Sequence, residues 1–441
     1  MFRVLSISFV LFFAVQVNAQ SYTLQQVIDS ALANNIPVKQ EGLSVETAKI
    51  DFNQSRLNLL PYVSADISHG IYNGRSIDPS SNGYVNQSLN SANYQLSSGF
   101  VLFNGGSLQN TIKQNRAAYE ASTMDWQQRK DNLVIDVIIA YLSVTANEDM
   151  LSSLINRAAV SQSQLDRLTV LNNQGAIKPS ELSDLKGQLM NDQLAIVDAR
   201  NVVESGKLQL AKLMNKPYQK DMKLERIDVS EFLANYAATS EQVYQNALNQ
   251  FALVKAAEFR TKSFAYGTKA ARSGLFPTVS VGGGLNTNYS SIAQNASGKI
   301  PYDNQLKNNV STSIGVGVSI PIFDRLRQRN RVKQADILLK NSELEEEKVK
   351  VQLRQDIDQA YLNMTKAYDR YKVLVEQVAA YTESFKAAEV RYNAGVGTSI
   401  DYLLAKDRMD AANINLISAK YDFVLRKKIL DYYSNSNAAN R

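Results

Sequence analysis

The sequence predicts an α+β membrane protein in which short β-barrel strands alternate with very long coiled-coil helices. Three observations carry that expectation. The chain is written twice in tandem, each copy holds a stretch of about 70 residues free of glycine and proline, and each copy holds two strand-length segments of alternating apolar residues.

The duplication is visible by displacement. At an offset of 216 residues, Val27, Ala31, Leu32, Val38 and Lys39 fall on Val243, Ala247, Leu248, Val254 and Lys255. Leu59-Leu60-Pro61-Tyr62-Val63-Ser64 then falls on Leu275-Phe276-Pro277-Thr278-Val279-Ser280. From Leu102 onward the offset is 220, which aligns Phe103 with Phe323, Asn110 with Asn330, Ala140-Tyr141-Leu142 with Ala360-Tyr361-Leu362, and Gly175 with Gly395.

Taken in order, residues 1–19 read as a signal peptide. Arg3 opens it, Val4 to Val15 is apolar, and Val17-Asn18-Ala19 before Gln20 fits a small-residue cleavage site. A dozen apolar residues are too few to span the roughly 30 Å of a bilayer core, and no cysteine follows to carry a lipid. Residues 20–61 read as the first copy's helix and 62–103 as its strand pair with an extracellular loop. Residues 104–214 read as its long helical hairpin, and 215–240 as a linker containing Pro217. The second copy repeats the plan as 241–277, 278–323 and 324–434, and 435–441 is a tail.

The long helices run from Ser107 to Gln174 and from Asp324 to Ala394, and at 1.5 Å per residue such a stretch reaches on the order of 100 Å. Leu353, Ile357, Ala360, Met364, Ala367, Tyr371, Leu374, Val378, Tyr381, Phe385 and Ala388 recur in alternating steps of four and three. The first copy answers with Leu133, Val137, Ala140, Val144, Asn147, Leu151, Leu154, Ala158, Ser161, Leu165 and Leu168. That is the period of a coiled-coil seam. The returning helices keep it through Leu182, Leu185, Leu189, Ile196, Val203 and Leu210, and through Tyr402, Met409, Leu416, Phe423 and Leu430.

The strands alternate instead. Val310 to Phe323 sets Ile314, Val316, Val318, Ile320 and Ile322 opposite Ser313, Gly315, Gly317 and Ser319. Tyr62 to Tyr72, Thr278 to Tyr289 and the segment ending at Phe103 share the pattern, with aromatics at their ends. Four strands cannot close a barrel with a usable lumen, and open edges are not tolerated in lipid. Several chains must therefore contribute, and three would give twelve strands. The loops Asn73 to Ala92 and Ser290 to Asn309, rich in Asn, Ser and Gly, suit an outer surface, which sends the helices into the periplasm.

Composition narrows the chemistry. The chain has 441 residues, no cysteine and one histidine, His69, so thiolate chemistry, a histidine-based metal site and a Ser-His-Asp triad elsewhere are excluded. No enzyme and no cofactor is expected. The net charge of +6 is spread along the chain, which argues against a nucleic-acid partner. Arg325, Arg327, Arg329, Arg331 and Lys333 cluster at the start of the second long helix, where they suit either lipid phosphates or a solvated wall, and Glu343 to Lys350 reads as an exposed face.

These residues resemble the TolC family of outer-membrane efflux proteins over nearly the whole chain. The resemblance is carried by Leu60-Pro61 and Phe276-Pro277, by Leu102-Phe103-Asn104-Gly105-Gly106 and Ile320-Pro321-Ile322-Phe323-Asp324, and by Arg391-Tyr392-Asn393-Ala394-Gly395-Val396-Gly397-Thr398-Ser399-Ile400-Asp401-Tyr402-Leu403-Leu404-Ala405. It implies an outer-membrane homotrimer with a twelve-stranded barrel, a twelve-helix periplasmic tunnel and a belt at 215–240. It further implies a passive exit duct of a tripartite efflux or type I secretion system, with a periplasmic adaptor (membrane fusion) protein and an inner-membrane pump as partners. The competing reading is a non-transporting coiled-coil scaffold or adhesin anchored in the same membrane.

The resemblance also implies sites. Gly175, Ala176, Ile177 and Lys178, with Gly395, Val396, Gly397 and Thr398, form the hairpin tips expected to meet the adaptor. Glycine supplies the backbone freedom such turns need, which is the plainer reading of Gly175 and Gly395. Asp401, with Glu181 as its counterpart in the first copy, is expected to ring the periplasmic entrance; the plainer reading is a carboxylate favoured at a helix start. Leu404 and Gly397 stand where the resemblance leads one to expect an aspartate and an arginine, a departure that puts in question the ion-pair latch some relatives use to stay closed.

Overall fold

The computed structural model describes residues 21–78, 82–226 and 236–434. The signal peptide, residues 227–235 of the linker and the 435–441 tail lie outside the described residues.

The chain opens with β1 (Ser21–Tyr22), α1 (Leu24–Asn34) and α2 (Ile36–Leu57). The first strand pair follows as β2 (Tyr62–Tyr72), a small hairpin of β3 (Arg75–Ile77) and β4 (Tyr84–Asn86), and β5 (Leu89–Phe103). The first helical hairpin is α3 (Ser107–Asn173) and α4 (Pro179–Leu213), and β6 (Lys223–Leu224) lies in the linker. The second copy brings α5 (Ser240–Gln250), α6 (Ala252–Ser273) and β7 (Thr278–Ser290). After these come β8 (Gln294–Asn295), β9 (Gly298–Lys299), α7 (Tyr302–Asn308) and β10 (Ser311–Ser319), then α8 (Arg327–Asn393) and α9 (Ser399–Ser434).

The duplication extends to element boundaries. The starts of α1, α2 and β2 recur 216 residues later in α5, α6 and β7, and those of α3 and α4 recur 220 later in α8 and α9. The caps recur as well. Thr23 and Thr239 each accept the backbone N–H of the glutamine three residues on, Gln26 and Gln242, whose side chain reaches back to the cap N–H. Helix α3 begins just after Gly105 and Gly106, which have φ of +66° and +82°. Their counterparts Arg325 and Leu326 take φ of +58° and +61°, a left-handed conformation costly for a branched side chain. Only glycine fits at 105: an added Cβ would lie 2.7 Å from the Ser273 carbonyl oxygen.

The chain divides into two compact units, and residues 42–126 and 252–350 form one of them. Its centre is an antiparallel sheet of order β10-β7-β5-β2. The register lays residues in lateral rows. Ala65, Leu96, Leu285 and Thr312 form one row, and Val63, Ser98, Gly283 and Ile314 another; their face is apolar and open, with Ile67 72% and Ile314 87% exposed. The intervening rows are polar or small. Both outer strands, β2 and β10, have an unpaired edge.

Two details depart from the sequence expectation. Strand β10 stops at Ser319 rather than running to Phe323, because Pro321 lacks the N–H that a ladder needs. The second strand-to-strand loop is not featureless but holds α7. Buried Gln305 pins it, donating from Nε2 to the carbonyls of Ser290 (3.0 Å) and Ile300 (2.8 Å) and accepting the Ser290 N–H (2.8 Å). Tyr302 packs edge-on against Tyr289 at 4.7 Å.

The other unit comprises residues 1–41, 127–251 and 351–441. Here the seam expected from the period is buried: Leu133, Val137, Val144, Leu154, Ala158 and Leu168 on α3, Leu353, Ile357, Met364, Leu374 and Phe385 on α8. Leu185, Leu189, Val203 and Leu210 line α4, and Tyr402, Phe423 and Leu430 line α9. Phe423 meets Tyr368 at 5.1 Å and Tyr371 at 6.4 Å. Strand β1 pairs in parallel with β6, and the buried Tyr141 hydroxyl reaches the carbonyls of Tyr22 (3.0 Å) and Glu225 (2.6 Å). Among the described residues no helix is long and apolar enough to cross a membrane.

On α3, Asp131 is 3% exposed; its Oδ1 accepts from Gln127 (2.7 Å), while Oδ2 has no hydrogen-bond partner. Burial pushes its carboxyl above the ordinary 3.8, against the opposing pull of Gln127 and Lys130. The folded chain thus holds this proton more tightly than the unfolded one. The stabilisation is complete below the unfolded value and is lost as pH rises through the folded one. Asp131→Asn is expected to raise the thermal midpoint at pH 7 and to leave it unchanged below the ordinary carboxylate value, as followed by circular dichroism at both pH values.

Candidate functional site

The tips are built by the way α3 and α8 end. Gly175 takes φ of +70°; its N–H donates to the Asn172 carbonyl (2.9 Å) and the Ala176 N–H to that of Leu171 (2.9 Å). Gly395 repeats this at φ of +73°, with its N–H on Tyr392 (3.1 Å) and the Val396 N–H on Arg391 (3.1 Å). Both are Schellman closures, in which the two N–H groups satisfy carbonyls that the helix end leaves without partners. The glycines therefore have a structural task before any other.

The helices then restart differently. In the first copy Pro179 is the first helical residue and no side chain caps the start. In the second, the Thr398 hydroxyl accepts the Asp401 N–H (3.1 Å) and donates to the Asp401 carboxylate (2.7 Å). Asp401 is exposed on the chain surface and belongs to a local cap as well as to any ring.

The tips lie side by side around a cleft of about 700 Å³, lined by Gly175, Ala176, Ile177, Lys178 and Glu181 from one and by Asn393, Gly395 and Gly397 from the other. Val396, Thr398 and Asp401 lie off it. Arg167 ties the hairpins together by donating to the Asn393 side chain and, at 3.5 Å, to its carbonyl. Tyr392, also on the cleft, has its hydroxyl pushed up by burial and by the charge of Glu181, with Arg167 opposing. The ring of Tyr392 stacks on buried Tyr402 at 5.1 Å, and Tyr402 meets Phe385 at 5.6 Å.

A second polar cluster crosses the helices above the tips. Asp192 on α4 is buried and accepts from Arg157 Nε (2.8 Å), Ser161 Oγ (2.5 Å) and Gln188 Nε2 (2.9 Å). Arg157 also lies 3.3 Å from Asp410 and 3.4 Å from Asp407 on α9. Buried Lys406 stands 2.8 Å from Asp410 and 3.9 Å from Asp192. Three helices are thereby held in one register. Sequence reasoning passed over it, although a charge at Asp192 in a seam slot between Leu189 and Ile196 was the available signal.

Removing one partner leaves buried charge uncompensated, at a cost of roughly 3–5 kcal/mol. Lys406→Ala is expected to lower stability by about that much. Lys406→Met combined with Asp410→Leu is expected to cost clearly less than the sum of the two singles, in a double-mutant cycle read by denaturant unfolding.

Comparison with known proteins follows this geometry. The outer membrane efflux protein family matches the chain twice, over residues 27–216 and again over 243–430. The outer membrane protein TolC of Salmonella enteritidis is 22% identical over 417 residues, covering 94% of this chain and 82% of that protein. TolC of Vibrio cholerae is 22% identical over 418 residues, covering 91% and 88%. Among solved structures, CusC superposes with a TM-score of 0.80 at 17% identity, covering 93% of this chain and 91% of that one. The Campylobacter jejuni CmeC outer membrane channel gives 0.77 at 18% identity, covering 93% and 85%.

Proposed function

We propose, on the premise that this chain belongs to the outer membrane efflux protein family, that three copies close one barrel and one helical tunnel and so form the exit duct of a tripartite export system. The chain is an outer-membrane efflux protein and a passive channel component, not an enzyme. The proposal concerns the trimer, the partners and the working residues.

The supporting observation is the sheet. Its apolar face is exposed, as a lipid-facing wall requires, and each of its outer strands has an unpaired edge, which hydrocarbon does not tolerate. Pairing β10 of one copy with β2 of the next satisfies both edges, and three copies give twelve strands. The helices ask for the same thing: Met190, Leu194 and Val197 on α4 and Ile337, Leu344 and Val351 on α8 are exposed apolar residues at heptad spacing. In this reading the tips point into the periplasm, and Gly175, Ala176, Ile177 and Lys178, with Gly395, Val396, Gly397 and Thr398, receive an adaptor that couples the duct to an inner-membrane pump. Residues 215–240 are the belt between the copies. A scaffold or adhesin would not need bilayer-length strands with a polar second face.

Native mass spectrometry of the detergent-solubilised protein is expected to give three chains per particle, and planar bilayers to give discrete conducting events; a monomer that conducts nothing would refute the duct. Asp401, with Glu181 as its counterpart in the first copy, is proposed to ring the entrance. Asp401→Asn is expected to lower block by multivalent cations added on the tip side.

A further inference from the structure

We infer that Asp66 is a charge-selectivity residue of the barrel itself, giving its lumen a preference for cationic and neutral solutes over anions. The inference rests on the reading of the sheet as one third of a shared barrel. Among the residues of β2, β5, β7 and β10, Asp66 is the only one with a formal charge at neutral pH; the other titratable strand residue besides tyrosine is His69. No ion pair to Asp66 occurs among the described residues, and its side chain is exposed.

The register says which face it occupies. Asp66 opposes Gln95, Gln95 opposes Asn286, and Asn286 opposes Ser311, so one lateral row of the sheet reads Asp-Gln-Asn-Ser. The rows on either side of it on that face, Ser68-Asn93-Asn288 and Ser64-Ser97-Gly284-Ser313, are small and neutral. The adjacent row on the opposite face holds Ile67, Tyr94 and Thr287. Asp66 lies near the middle of β2, at the depth where a charge on the lipid face is most costly. Its face must therefore be the lumen.

The size of the effect follows from spacing. Twelve strands tilted by ~40° enclose a radius of roughly 12 Å, and four strands per copy then separate successive Asp66 positions by about 25 Å around the wall. At about 0.1 M salt the screening length is ~10 Å, so a permeating ion on the axis feels all three charges weakly. A modest preference that vanishes at high salt is the consequence. The neighbouring Ser, Asn and Gly side chains offer hydrogen bonds and room, with no competing charge.

Reversal potentials under a potassium chloride gradient read this directly. The cation-to-anion permeability ratio is expected to fall about two-fold in Asp66→Asn at ~0.1 M salt, to invert in Asp66→Lys, and to differ little among the variants at ~1 M. Because the chain has no cysteine, Asp66→Cys gives a second reading free of background. An anionic methanethiosulfonate reagent is expected to restore the wild-type ratio and a cationic one to invert it, while Ile67→Cys stays unreactive. Conducting channels whose reversal potential is the same in wild type, Asp66→Asn and Asp66→Lys would overturn the inference alone, as would reactivity at Ile67→Cys with none at Asp66→Cys. Absence of conduction by the wild-type protein would overturn the duct reading and the inference with it.

Discussion

The constraint on which the rest depends is the pair of unpaired sheet edges. Each residue on the outward side of β2 and β10 presents backbone N–H and C=O groups, and in hydrocarbon every such group left unmade costs several kcal/mol. No rearrangement within one chain removes this, because the sheet order β10-β7-β5-β2 leaves the two edges at opposite ends. Only another copy supplies the complementary edge, and the contact is head-to-tail, so it must close into a ring or grow without end. The helices inherit the same symmetry. A hairpin such as α3–α4, long for its width, gains little from one partner and a great deal from two.

Duplication makes the ring economical. One backbone plan, folded twice, supplies two near-equivalent strand pairs and two hairpins, so each chain contributes a repeating wall element rather than a unique one. What is preserved is geometry more than side chains. The left-handed pair before α3 is Gly105-Gly106, whereas the same turn before α8 is Arg325-Leu326, which keep φ near +60° despite the strain. Ser273 donates to the Gly105 carbonyl at 2.7 Å and fixes the turn in the first copy. In the second, the Gln328 N–H donates to Asp324 at 2.8 Å, a cap local to its own helix.

Much of this was legible in the sequence because it is periodic. A seam repeats every 3.5 residues and a barrel strand every two, and each position is set by neighbours close in the chain. Seam residues from Leu353 to Ala388 were readable for that reason, as were the tip glycines Gly175 and Gly395, which punctuate helices. The rest depended on contacts between distant residues. Helix α7 forms because Gln305 folds back on Ser290, which no local pattern announces. The Arg157, Asp192 and Lys406 cluster joins three helices, and only their packing shows that a seam slot can hold a charge. The place of Asp401 at a helix start was legible from its position, while its partnership with Thr398 was readable only in principle, from a Thr-x-x-Asp spacing.

The tips are also tightly wound on themselves. Gly397 stands at the tightest point of its turn. A Cβ there would stand 3.1 Å from the Tyr392 nitrogen and 3.3 Å from the carbonyl carbon and Cβ of Arg391. The turn is wound closely enough onto the end of α8 that a side chain at 397 would require its neighbours to give by a few tenths of an ångström. Between the hairpins Arg167 reaches Asn393, while within the second hairpin the stack of Tyr392, Tyr402 and Phe385 ties the end of α8 to the start of α9. An aromatic stack has no charge to screen and holds by area, so the closure of α9 onto α8 is largely insensitive to salt.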